Sequence, residues 1–136
     1  MDRKIVFTNG CFDIVHKGHV AYLNQAKSLG NYLIVGMNSD ASVKRLKGSS
    51  RPINGELDRK FVLENLKAVD EVIIFNEDTP LDLIMQIKPQ VLVKGGDWKI
   101  DQIVGAKEVL AWGGEVYSLD FHNGYSTTSI IEKSRL

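Results

Sequence analysis

Thr8-Asn9-Gly10-Cys11-Phe12-Asp13-Ile14-Val15-His16-Lys17-Gly18-His19 joins a short apolar run, Ile5-Val6-Phe7, to an amphipathic stretch that begins near Gly18. The apolar run reads as a strand and the stretch after it as a helix, so the segment is a strand-to-helix turn. His16 and His19 lie three positions apart and share one face of the first helical turn. Gly18 between them removes a side chain where another group must approach the backbone. The free N–H groups and positive dipole end of the helix make the turn a seat for phosphate. Imidazole donors placed there bind a phosphoryl group best as it gains charge, which lowers a transfer barrier rather than merely holding substrate.

Outward from this turn, strand and helix patterns alternate to the end of the chain. Lys4 to Thr8 reads as a buried strand and Gly18 to Leu29 as a helix stopped by Gly30. Tyr32 to Met37 is a nearly continuous apolar run, typical of a sheet covered on both faces. Asn38-Ser39-Asp40 can cap a short helix, Ala41 to Leu46. Lys47 to Asn54 is a loop by its Gly, Ser and Pro content, and Lys44, Arg45, Lys47 and Arg51 make it basic. Leu57 to Val69 predicts a periodic helix, Val72 to Phe75 a third strand, and Leu81 to Ile87 a helix opened by Thr79-Pro80. Val91 to Lys94, a helix over Val104 to Trp112, and Glu115 to Leu119 complete five strands. Ser126-Thr127-Thr128 can cap a last helix, Ser129 to Arg135.

This alternation predicts an α/β fold: a Rossmann-like, doubly wound, five-stranded parallel sheet in one three-layer domain spanning residues 1–136. Ligands of such sheets bind at the carboxyl ends of the strands, near the switch point of strand order. The chemically suggestive stretches all fall there: Thr8 to His19, Asn38 to Arg51, Lys94 to Trp98, and Asn123 to Thr128.

Composition bounds the partners. The chain has 136 residues, 17 basic and 17 acidic side chains, and no net formal charge. A large nucleic-acid or anionic-membrane footprint is not expected from that balance. No apolar run approaches membrane-spanning length, and Met1-Asp2-Arg3-Lys4 does not open a signal peptide. Cys11 is the single cysteine, so no internal disulfide forms and a cytoplasmic setting is expected.

Several residues carry two readings. Asp13, His16 and His19 have metal-ligand spacing, but a zinc site usually wants a further ligand and His122 is distant in sequence. Lys44, Lys47 and Arg51 are a solvated face or, beside Gly48, a phosphate clamp. Arg59 is a surface arginine or a site residue. Lys94 follows Val91-Leu92-Val93 directly, so it points into a cleft or to solvent. Asp97 and Trp98 are a turn acid and an edge aromatic, or contacts for metal, ribose or base. Ser126, Thr127 and Thr128 are an N-cap, and an N-cap with three hydroxyls is also an anion site. Cys11 reads as a small packed residue, since no general base accompanies it. Gly-x-x-x-x-Gly-Lys-Ser/Thr is absent, so this is no ordinary P-loop protein.

The turn Thr8 to Asp13 followed by His16-Lys17-Gly18-His19 resembles the nucleotidyltransferase superfamily with the His-x-Gly-His motif. Ser126-Thr127-Thr128 matches that superfamily's second signature. The resemblance covers essentially the whole chain. Within the superfamily, Asn38 to Gly48, Leu92 to Trp98 and Gly124 to Thr128 are most similar to the D-glycero-β-D-manno-heptose 1-phosphate adenylyltransferases, which make ADP-heptose for the lipopolysaccharide core. The resemblance implies that His16 and His19 stabilise the transition state at the α-phosphate of ATP, with Lys47 or Lys44 holding phosphate. It implies that Thr8, Asn9, Gly10, Cys11 and Phe12 lie against the nucleotide, with backbone contacts to phosphate from Gly10, Cys11 and Phe12. Asp13 would order the loop and Gly18 would belong to the motif. Arg59, Lys94, Gly95, Asp97 and Trp98 would line the nucleotide or acceptor pocket. Ser126, Thr127 and Thr128 would take the β- and γ-phosphates. Mg2+ would arrive with ATP rather than on protein ligands. The acceptor would be a sugar 1-phosphate supplied by a separate sugar kinase, and a homodimer or larger homo-oligomer is implied.

Two alternatives follow from the same residues. Glycerol-3-phosphate cytidylyltransferases resemble the chain over the same length, but carry Arg-Thr-Glu-Gly where this chain has Asp120-Phe121-His122-Asn123-Gly124-Tyr125, and an acid where it has Gly96. A regulatory module that binds nucleotide without turnover is the other, and the intact histidine pair argues against it.

Overall fold

In the computed structural model, residues 2–119 are described, and five parallel strands form one sheet in the order β3-β2-β1-β4-β5. The strands are β1 (Ile5–Gly10), β2 (Tyr32–Asn38), β3 (Glu71–Phe75), β4 (Val91–Gly95) and β5 (Glu115–Leu119). The helices are α1 (Lys17–Lys27), α2 (Asp40–Lys47), α3 (Glu56–Glu64), α4 (Leu81–Ile87) and α5 (Ala106–Ala111), with a 3-10 turn at Ile100–Gln102. The expected doubly wound parallel sheet is what the chain forms. Its order reverses between β1 and β4, which places a crevice at their carboxyl ends.

The two faces of the sheet are filled by alternate residues of the same strands. Val6, Leu33, Val35, Val91 and Val93 pack on one side with Tyr22, Leu23 and Ala26 of α1 and Leu63 of α3. Phe7, Ile34 and Leu92 pack on the other with Leu83 and Ile84 of α4 and Ala106 and Val109 of α5. The central strands are therefore apolar on both faces, as their continuous runs predicted.

Local chemistry sets the element ends. Ser39 caps α2, its hydroxyl accepting from Ser42 N at 3.1 Å. Asp70 ties the start of β2 to α1, its Oδ2 accepting from Leu33 N at 2.8 Å and from Lys27 Nζ at 2.6 Å. The helix expected over Leu57 to Val69 is shorter. It stops at Glu64, where Asn65 donates its side-chain amide to Phe61 O at 2.8 Å and turns follow through Leu66 and Val69. Leu63 and Val69 are buried, but Leu57 is 76% and Phe61 68% exposed. Helical periodicity thus located the helix but did not show which of its apolar side chains are buried. The predicted last helix, Ser129 to Arg135, lies outside the described residues.

Candidate active site

β1 ends at Gly10, and the chain must fold back sharply to start α1. Phe12 makes that turn with φ +49°, a left-handed conformation costly for an aromatic residue. Gly10 permits it, because a Cβ there would stand 2.9 Å from the Phe12 ring. The Phe12 ring is buried and packs on the His19 imidazole, with centroids 5.4 Å apart. Local strain is thus exchanged for a fixed ring position.

The histidine pair builds its own cap. His16 is the N-cap of α1, and its Nδ1 accepts from Gly18 N at 3.1 Å. His19 Nδ1 accepts in return from His16 N at 3.3 Å. This is a capping box made of two imidazoles, where Ser or Thr with Glu is usual. The rings lie 4.0 Å apart between centroids. A neutral imidazole that accepts at Nδ1 carries its proton on Nε2, so both rings become Nε2 donors. Their surroundings keep them neutral. Burial lowers the His16 pKa below its ordinary value. Burial, then the neighbouring His16 and Lys47, push that of His19 down to about 4.

The acid of the turn does not join the imidazoles. Asp13 is buried, and its carboxylate accepts from Ile53 N at 2.8 Å, Asn54 N at 2.8 Å and Arg51 Nε at 2.9 Å. Burial by itself would raise its pKa, but the Asn54 and Ile53 amides and Arg51 outweigh it and hold the carboxyl below its usual value. Asn54 also donates its side-chain amide to Asp13 O at 2.8 Å. Asp13 therefore orders the loop, joining the basic segment to the turn after β1. Arg51 keeps its Nη2 buried with no hydrogen-bond partner among the described residues.

Two of the expected site residues lie beneath the cleft rather than in it. Arg59 was expected to line the pocket, yet its guanidinium is fully buried beneath the turn. It donates to Cys11 O and Asn38 O, each at 2.8 Å, to Asn54 O at 3.0 Å, and to Asp40 Oδ1 at 2.7 Å. Its donors serve carbonyls of the turn after β1, the end of β2 and the 51–54 segment, so it supports the site from below. Thr8 was expected beside the nucleotide, yet it is 0% exposed and its hydroxyl bonds to Tyr22 Oη at 2.6 Å. That bond fastens β1 to α1.

A cleft opens above the carboxyl ends of β1 and β4, in two lobes. The smaller, about 190 Å³, is lined by His19, Tyr22, Asp13, Arg51 and Phe12. The larger, about 320 Å³, is lined by Trp98, Asp78, Thr79, Gln102 and apolar side chains including Ile103. Asn9, Gly10, Cys11, Lys47 and Lys94 border both lobes and form the neck between them. Gly95 borders the smaller lobe. Lys44 is exposed on α2 and borders neither lobe, so Lys47 is the lysine brought to the cleft. Asp97 is likewise exposed and borders neither. Tyr22, Asp78 and Gln102 carried no sequence signal, because isolated polar residues in loops or on a helix show no period. Ser126, Thr127, Thr128 and His122 lie outside the described residues.

Lys47 and Lys94 bring two basic side chains to the neck. Burial lowers the Lys94 pKa, Cys11 partly opposes that, and Lys47 lowers it further. Burial raises the Cys11 pKa, against the pull of Lys47, Arg59 and Arg51. A thiol held protonated is a poor nucleophile. The arrangement therefore lacks the means for covalent catalysis by Cys11, and it concentrates donors and cations, as phosphoryl transfer by positioning requires.

The chain is similar to known proteins over nearly its whole length. The family model described as cytidylyltransferase-like matches residues 7–133. The chain is 62% identical over 134 residues to the bifunctional protein HldE of Marinomonas sp. (strain MWYL1), covering 98% of this chain and 28% of that relative. It is 59% identical over 134 residues to the bifunctional protein HldE of Haemophilus influenzae (strain PittGG), covering 98% of this chain and 28% of that relative. This chain thus spans 28% of the length of those relatives. Among solved structures, the lipopolysaccharide core biosynthesis protein of Thermoplasma volcanium GSS1 superposes with a TM-score of 0.72 at 30% identity, covering 92% of this chain and 100% of that one. No described helix is long and apolar enough to cross a membrane. With a strand-to-helix turn bearing two Nε2-donating imidazoles at the switch point of a parallel sheet, and a family model that spans nearly all of it, the chain belongs to the cytidylyltransferase-like family of nucleotidyltransferases.

Proposed function

We propose that this chain transfers the adenylyl group of MgATP to the phosphate of a sugar 1-phosphate, D-glycero-β-D-manno-heptose 1-phosphate, giving ADP-heptose and pyrophosphate. A phosphate oxygen of the acceptor attacks the α-phosphorus, and the bond from that phosphorus to the α,β-bridging oxygen breaks. Pyrophosphate leaves with the electron pair. The acceptor phosphate is already ionised, so no general base is needed. The reading rests above all on the paired Nε2 donors at the start of α1, since donors fixed before the reaction stabilise charge that develops at the α-phosphate. His16, His19, Lys47 and Lys94 bind the reacting phosphates, and Asn9 to Phe12 approach them through the backbone. Ser126, Thr127 and Thr128 receive the β- and γ-phosphates. Magnesium enters as the counter-ion of ATP, and Asp13, the acid nearest the imidazoles in sequence, is engaged with the 51–54 loop. A sugar kinase supplies the acceptor.

The 62% identity to a bifunctional HldE and the stretches Asn38 to Gly48 and Leu92 to Trp98 support heptose over glycerol phosphate. The test is pyrophosphate release with ATP or CTP against a panel of sugar and polyol phosphates. Release is expected with ATP and the heptose 1-phosphate. Preference for CTP and glycerol phosphate would reassign the substrates. No release with any pair, despite measurable ATP binding, would make the chain a nucleotide-binding module.

A further inference from the structure

The geometry points to α3 as a surface that pairs with α3 of a second copy of this chain, antiparallel about a two-fold axis, with Phe61 as its anchor. The inference stands independently of the proposed reaction.

α3 buries one side through Arg59 and Leu63, which lie four positions apart. The opposite side of such a helix ordinarily carries polar residues. Here it carries Leu57 and Phe61, also four apart and therefore one stripe, with Val62 beside them. Leu57 is 76%, Phe61 68% and Val62 44% exposed. Single exposed apolar residues are ordinary, but a contiguous set rimmed by charge marks an interaction site. The three leave on the order of 400 Å² of largely apolar surface in water, about half of the roughly 800 Å² that each partner of a standard interface buries. The charged residues around the stripe supply a rim.

That rim matches itself. Lys60 and Glu64 flank the stripe on one side and pair only loosely within the helix, at 3.9 Å. In a two-fold antiparallel pair the same flanks meet, and residue i faces j while j faces i. With the axis passing near Val62, Lys60 of each copy faces Glu64 of the other, and exposed Lys67 lies toward the acidic start of the second helix, which carries Glu56 and Asp58. The other flank, Asp58 and Val62, borders a groove of about 400 Å³ whose far wall is Phe12, Ile14 and Val15. Phe61 of the second copy enters that groove, an aromatic anchor in a largely apolar pocket. Asp13 also borders the groove, so the seated ring backs the turn that leads to the imidazoles.

Sedimentation velocity on the whole chain tests this. At micromolar concentration the natural chain should sediment with twice the mass of one chain. Phe61→Glu should sediment as one chain with unchanged far-ultraviolet circular dichroism. Leu57→Gln should weaken association while leaving the unfolding free energy of the separated chain where it was, because the side chain is exposed there. Lys60→Glu and Glu64→Lys should each weaken association at least tenfold, by setting like charges across the axis. Combining the two exchanges should restore it to within threefold of the natural chain. A natural chain that stays single up to near-millimolar concentration would overturn the proposal and leave the α3 face to another partner. An assembly indifferent to Phe61→Glu would place its interface elsewhere and overturn it equally. Two charge exchanges that weaken association singly but do not restore it together would overturn the antiparallel arrangement, whether or not Phe61→Glu folds.

Discussion

The two walls of the cleft are held in different ways. The wall after β1 is bound from three directions: Arg59 grips carbonyls of the turn after β1, the end of β2 and the 51–54 segment, Asp13 gathers the 51–54 segment, and the imidazoles cap their own helix. Among the described residues, the wall after β4 is tied to the neighbouring edge strand and to itself, through Gly96 N to Leu119 O at 2.8 Å and the two Trp98 bonds. In the proposed reaction the first wall carries the groups that meet developing charge, where small displacements cost rate. The second borders the larger lobe through Lys94 and Trp98. The more densely hydrogen-bonded wall is the one that carries the imidazoles.

The comparison breaks first at Arg59. Arg59→Met takes its donors from the carbonyls of Cys11, Asn38 and Asn54, so a loss of about 2–4 kcal/mol in unfolding free energy is expected. Urea unfolding measures it, and a loss near zero would show that the first wall does not depend on this residue. Next comes His16→Ala. Turnover should fall at least ~100-fold while the fold and ATP affinity stay nearly intact, as for a donor acting mainly in the transition state. Near-normal single-turnover rates would remove His16 from the chemistry.

Asp13→Asn sharpens the role of the loop. Its carboxylate accepts two backbone amides and Arg51, so weakening it should cost about 1–3 kcal/mol and raise proteolysis within residues 51–54. An equal effect from perturbing the β4 wall would erase the contrast.

Acid tests the same wall without mutation. His19 is neutral in the fold, with a pKa of about 4 against an ordinary 6.5, so below pH 6.5 the unfolded chain binds the extra proton first. Stability is therefore fully present above about 6.5 and declines as pH falls toward 4. Between pH 6.5 and 5, His19→Asn should show a shallower loss than the natural chain in urea titrations. Equal slopes would contradict the buried neutral imidazole. Smallest of all, Leu57→Gln on exposed α3 should change stability by no more than about 0.5 kcal/mol, because that side chain is 76% exposed.

Much of the fold was legible because its signals are local. Leu81–Ile87 and Glu115–Leu119 were located to the residue, the first marked by Thr79-Pro80 and the second by Gly113-Gly114 before it. The α3 segment was less legible, since periodicity reports a helical face but not whether anything lies against it. The His16–His19 pair was visible from spacing; its tautomer was not, since that depends on which backbone amides face Nδ1.

The sequence alone determined the alternation of strand and helix, hence a parallel sheet with its crevice at the carboxyl ends, and it set both imidazoles at the start of α1. Those properties follow from periods of two and 3.6 and from residues only a few positions apart. The tertiary structure alone decided that Arg59 and Thr8 lie beneath the site, that Asp13 faces residues 51–54, and that Lys47 rather than Lys44 reaches the cleft. Each of these outcomes depends on groups far apart in the chain competing for one buried position. Arg59 and Cys11 are separated by 48 residues, and no local pattern records which carbonyl a buried guanidinium will find.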